Sequence, residues 1–141
     1  MKYVPSTKIE LSYNKIRRMS GLDGLATILL PGNKKHQKVF LAIFIELKYA
    51  PGEFLPSLSF LCTRYGFTPR LLETVRSKMR RMGIIDHVSR FNKKSGYQEG
   101  WIFSQRFSQS LSSLDTTAMV SRMNKDVLNQ EMKDRDLFSY L

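Results

Sequence analysis

The chain has 141 residues, 42% of them apolar and 11% aromatic, which is enough for the core of one domain with extra length at its ends, and its formal net charge is +11. That excess makes a polyanion the expected partner, while no apolar run reaches the roughly 20 residues of a bilayer span, so no membrane partner is expected. The start, MKYVPSTKIE, has no apolar signal-peptide stretch and the single Cys62 excludes an internal disulfide, so the expected compartment is the cytoplasm, or the nucleoid within it.

Charge is unevenly spread, with net +3 over residues 1–33, +9 over 34–106 and −1 over 107–141. The middle is therefore where an anionic partner is expected. Residues 1–33 read as an N-terminal arm or extension. Ile9, Leu11 and Tyr13 alternate with polar neighbours as in a short strand, yet Lys15 to Met19 equally suits the start of a helix, and both readings stay open. The segment GLDGLATILLPGN holds apolar residues able to pack on the domain, and Pro31-Gly32-Asn33 breaks the chain.

Lys34 to Tyr49 has the period of an apolar helix, with Val39, Phe40, Ile43, Phe44 and Leu47 facing a core. Pro51-Gly52 stops it, and Glu53 to Leu55 leaves room for a very short strand. Pro56 and Ser57 open a second helix through Tyr65, with Leu58, Leu61 and Tyr65 on one side. Gly66-Phe67-Thr68 forms a tight connection to a third helix, which Thr68 caps and Pro69 begins. On it Leu71, Leu72, Val75, Met79 and Met82 share one face. Arg70, Glu73, Thr74, Ser77 and Arg81 share the other, with Arg76, Lys78 and Arg80 on the flanks.

Gly83 marks the helix stop. Two strands are expected at Ile84 to Phe91 and Trp101 to Phe107, joined by the polar loop NKKSGYQEG with Lys93 and Lys94 at its tip. Ser108 to Ser113 reads as a break. Asp115 then caps a last helix to about Phe138, with Met119, Met123, Val127, Leu128 and Met132 along one stripe.

The stretch LPSLSFLCTRYGFTPRLLETVRSKMRRMGII resembles the helix-turn-helix of GntR-type repressors without a gap, matching at Leu55, Pro56, Ser57, Leu61, Gly66, Thr68 and Gly83. Apolar residues occupy the core positions Leu72, Val75 and Met79. The resemblance covers about 50 residues, and the wider order of elements looks like a winged helix-turn-helix. It implies an α+β, mainly α, fold, with the winged domain at 34–107 and a C-terminal helix within 108–141. In the family pattern Cys62 falls at a small buried position. Ser59, Pro69 and Glu73 stand where such repressors commonly carry operator-reading arginines, and the short stretch after the hairpin is not expected to hold an effector-binding domain, so no small-molecule effector is implied.

The docking mode places helix 68–82 in the major groove of double-stranded DNA. Arg70, Thr74 and Ser77 are suited to base edges, and Arg70 alone can grip guanine through two hydrogen bonds. Glu73 accepts from cytosine or orients Arg70 or Arg76; Thr68, Lys78 and Arg81 complete the contact set of this helix. Ser57, Ser59, Thr63 and Arg64 are placed for phosphate, and Arg90, Lys93, Lys94 and Tyr97 for the minor groove or backbone beside the wing.

Enzyme chemistry finds little footing. His36, Cys62 and His87 have no metal-ligand spacing, His87 is expected on the hairpin surface, and no phosphate-cradling glycine loop is present, so no catalytic residue, cofactor or metal is expected. The function expected is transcription regulation, as a repressor; the rivals are a replication or partition protein of a plasmid, virus or phage, and a winged helix serving protein interaction. The last helix either covers its own domain or pairs with its copy in a second subunit, and the homodimer is the reading taken, with recognition helices about 34 Å apart.

Overall fold

The computed structural model describes residues 7–94, 96–125 and 128–141. Val127, expected in the stripe of the last helix, lies outside the described residues. The chain forms two compact units, Met1–Arg106 and Phe107–Leu141. The first holds α1 (Tyr13–Arg18), α2 (Gly21–Leu29), α3 (Lys34–Lys48), β1 (Phe54–Leu55), α4 (Phe60–Tyr65), α5 (Pro69–Met82), β2 (Ile85–Asn92) and β3 (Gly96–Phe103). It is mainly helical, with a three-stranded antiparallel sheet in the order β1-β3-β2.

Helix α3 is the spine. Its Asn33 cap accepts from the His36 N–H, Val39, Phe40, Ile43 and Leu47 are buried, and α2, α4 and α5 all contact the helix. Phe44 is half-buried and meets Phe103 of β3 at 4.9 Å between ring centroids. Residues 7–33 are not a separate arm. Ala26, Ile28, Leu29 and Leu30 are buried, and the Gln37 side chain donates to the Leu30 carbonyl at 2.8 Å, so α2 completes the core that α3 leaves open. The strand reading of Ile9 to Tyr13 fails: Leu11 and Tyr13 are exposed, and the chain turns helical at Tyr13.

The two helices on either side of Gly66 lie near their expected places, with one shift. α4 begins at Phe60 and not at Pro56, because the Ser57 hydroxyl holds the Ser59 N–H in a local turn that competes with helix. Tyr65, expected on the buried side, is exposed and donates to Glu46 of α3 at 2.6 Å. Cys62, expected in the core, is half-buried. Gly66 takes φ 74° and Gly83 φ 85°, left-handed conformations that end α4 and α5 where a side chain would be strained. Leu72, Val75, Met79 and Met82 are buried and Leu71 half-buried, as the helical period predicts.

The second strand is shifted toward the tip: it ends at Phe103 and not at Phe107, because the chain turns helical at Arg106. β3 starts at Gly96, and the polar residues Tyr97 to Gly100 pair with Val88 to Phe91 in place of looping out. Gly100 is a point of close approach, since an added Cβ would strike the Phe54 ring and come within 2.7 Å of the Leu55 carbonyl oxygen. We expect Gly100→Ala to part β1 from β3 and cost about 1 to 3 kcal/mol, as overpacked cores do. Thermal unfolding of this variant beside Gly96→Ala, where the added Cβ meets open space but φ is 72°, sets the cost of the clash against that of left-handed backbone strain.

The second unit departs most from expectation. Ser108 to Ser113 is no break, and Asp115 lies inside α6 (Arg106–Met123) and does not cap it. Phe107, Leu111, Leu114 and Ala118, spaced by four, three and four residues, carry helical period through the serines, and the Ser110 hydroxyl donates to the Phe107 carbonyl at 2.9 Å. The helix ends at Met123, and α7 (Gln130–Asp136) follows with an Arg135–Glu131 ion pair at 2.7 Å and a short 3-10 turn at Leu137–Tyr140. No helix among the described residues is long and apolar enough to cross a membrane.

Candidate nucleic-acid interface

Thr68 spends its side-chain oxygen on the cap of α5, accepting from the Leu71 N–H at 3.1 Å. From that start the outer face of α5 presents Arg70, Glu73 and Arg81 to solvent, one turn or two apart. Thr74 and Ser77 lie half-buried between them, and the Thr74 hydroxyl donates to the Arg70 carbonyl at 2.9 Å, leaving only acceptor capacity for a partner. Three of the five expected face residues are thus fully available and two are recessed.

The flanks are tied down on both sides. Lys78 Nζ donates to His36 Nδ1 at 3.1 Å, and burial first, then the Lys78 charge, holds the His36 pKa below its ordinary value. On the other flank the Arg76 guanidinium lies 5.1 Å over the Trp101 ring of β3. A helix held this way from two directions presents a rigid outer face.

Arg64, expected at phosphate, turns instead to α3. It pairs with Glu46 at 3.0 Å and lies 5.2 Å over the Phe60 ring. The Tyr65 hydroxyl bond, followed by Arg64, keeps the Glu46 carboxyl below its usual pKa, and the same bond raises that of Tyr65. This fastening of α4 to α3 contributes stability above the ordinary carboxylate range and loses it as pH falls through the lowered value. Ser57 and Ser59 hydrogen-bond to each other at 2.9 Å and stay exposed, beside the exposed Thr63.

The hairpin splits its candidates between two faces. Arg90, expected to reach DNA beside the tip, folds back 5.2 Å over the Phe54 ring of β1. Lys93 and Lys94 are exposed at the tip, and Tyr97 pairs across the strands with Phe91. At the base, Arg106 grips Asp86, the Arg80 carbonyl at 2.9 Å and the Ile85 carbonyl at 3.4 Å. Its bond is the main cause that lowers the Asp86 pKa, against burial, so this carboxylate stays charged and locks the end of α5 to β2.

No protein-family model, curated protein or solved structure matches this chain. What the surface can do is therefore set by its own chemistry: a cationic and polar helix face, a basic hairpin tip, and exposed aromatic rings beside it. His36, Cys62 and His87 stand on separate elements, and His87 is exposed with its ring 4.8 Å from Trp101. Sequence reading missed Arg76 on Trp101, Lys78 on His36, Arg106 and Phe91. All four depend on which distant element comes alongside; only the strand register would have paired Phe91 with Tyr97.

Proposed function

We propose that the chain binds double-stranded DNA as a winged helix-turn-helix protein and regulates transcription from the sites it occupies. One arrangement carries the reading: α4, the Gly66 turn and α5 set Arg70, Glu73 and Arg81 outward, beside a hairpin tipped by Lys93 and Lys94, in the part of the chain whose net charge is +9. A sheet in the order β1-β3-β2, with the hairpin formed by its last two strands, supports the wing assignment. Arg70 reads a guanine in the major groove, Thr74 and Ser77 contribute acceptors, and the tip lysines contact phosphate.

Two sets of variants test this reading. Arg70→Ala is expected to cost about 1 to 3 kcal/mol on the preferred site and to relax selection at one base pair. Lys93→Ala with Lys94→Ala is expected to weaken every sequence alike and to flatten the salt dependence. Equal, sequence-independent losses in both would overturn base reading by α5. Sequencing the fragments retained from the source genome supplies the preferred site: single sites near promoters fit a regulator, and repeated arrays fit a replication or partition role.

Two copies associate through the C-terminal unit. Its residues carry net −1, so copies do not repel there, and Leu111, Leu114, Met119, Met123, Met132 and Phe138 are all exposed. Sedimentation equilibrium is expected to give a dimer for the full chain and a monomer for one ended at Arg106. A monomeric full chain overturns the association.

A further inference from the structure

We propose that Phe91 and Tyr97 form a base-stacking edge on the hairpin that takes unpaired or unstacked nucleobases, which rests on the reading of the chain as DNA-binding. Side chains alternate along a strand, so the register Ile85↔Phe103, His87↔Trp101, Ser89↔Glu99, Phe91↔Tyr97 puts these pairs on one face of the sheet. At its base that face is core: Ile85 and Trp101 are buried, Phe103 meets Phe44, and Arg76 of α5 lies over Trp101. Toward the tip the face outruns the body. The same surface that turns to α5 at its root ends in two rings in solvent.

Phe91 is 65% exposed and Tyr97 78%, with centroids 5.3 Å apart in an edge-on arrangement. A cross-strand pair of this kind stabilises a hairpin, but here the contact leaves most of each ring in water. Charge names the occupant. Lys93 and Lys94 stand at the tip, Arg90 lies on the opposite face, and Glu99 is the acid on the aromatic face. Flat apolar rings beside the two tip lysines match a ligand with anionic links and flat bases, and stacking accepts any base. The edge continues the sheet face that meets Arg76 of α5 at its root, so it lies on the same side of the hairpin as that helix.

In a duplex the edge engages where base steps open, as apolar wedges do when they unstack a step. Fluorescence anisotropy of the full chain on an intact duplex, and on the same duplex with a central unpaired bubble, tests this. The wild type is expected to favour the bubble by roughly five- to a hundredfold. Phe91→Leu with Tyr97→Leu, which keeps apolar bulk and removes both rings, is expected to abolish that preference, while Tyr97→Phe keeps it. A 2-aminopurine in the bubble should change emission with wild type and not with the double variant. Equal affinity for both DNAs, or a preference that survives loss of the rings, overturns the edge and leaves duplex binding standing. Failure to bind either DNA overturns both readings. Binding to anionic phosphatidylserine vesicles that is lost with the rings, with DNA affinities unchanged, overturns the edge in favour of a lipid surface.

Discussion

Affinity for duplex DNA is expected to fall about a thousandfold between roughly 50 and 200 mM salt. Each phosphate neutralised by Lys or Arg releases a condensed counterion, so the logarithm of the affinity falls with the logarithm of salt in proportion to the number of such contacts. Arg70 and Arg81 on α5 and Lys93 and Lys94 at the tip are exposed candidates, and Lys34, Lys35 and Lys38 extend the basic surface along the first turns of α3. About six contacts among these give the thousandfold fall. Arg64 and Arg90 are left out of that number because Glu46 pairs with the first and the second lies over Phe54. Titrations at several salt concentrations check the slope. A flat response would remove duplex DNA as the partner and favour a protein-interaction role for the fold.

Leu29→Ala is expected to cost about 3 kcal/mol and to lower the melting temperature by roughly 10 to 20 °C. Leu29 is 2% exposed, in the segment whose apolar residues abut α3, so removing its side chain leaves a cavity that the helix pair closes only in part. Leu11→Ala is the matched control. Leu11 is 62% exposed in the same N-terminal stretch, and its loss is expected to stay within about 0.5 kcal/mol. Thermal unfolding of both variants separates a structural N-terminus from an arm. Equal small effects would return residues 7–33 to the status of an appendage.

What local chemistry controls was readable in the sequence. Thr68 and Pro69 begin α5, Gly83 ends it, and the spacing of Leu72, Val75, Met79 and Met82 selects its buried face, because capping and helical period act within a few residues of chain. The same holds for α3 and for the two-residue β1 after Pro51-Gly52. The serines of 108–113 misled for a related reason: they are weak helix breakers, and the Phe107, Leu111, Leu114, Ala118 stripe outweighs them.

Tertiary structure alone decided the rest. Tyr97 to Gly100 look like loop until β2 supplies partners, and a strand's hydrogen bonds come from another strand. Whether Arg64 meets phosphate or Glu46, whether Arg90 points to the tip or back over Phe54, and whether residues 7–33 hang free or complete the core depend on what lies across from them. One residue of register moves a side chain to the other face of the sheet, so the pairing of Phe91 with Tyr97, and their place on the side that turns to α5, is set by long-range contacts that no short stretch of sequence contains.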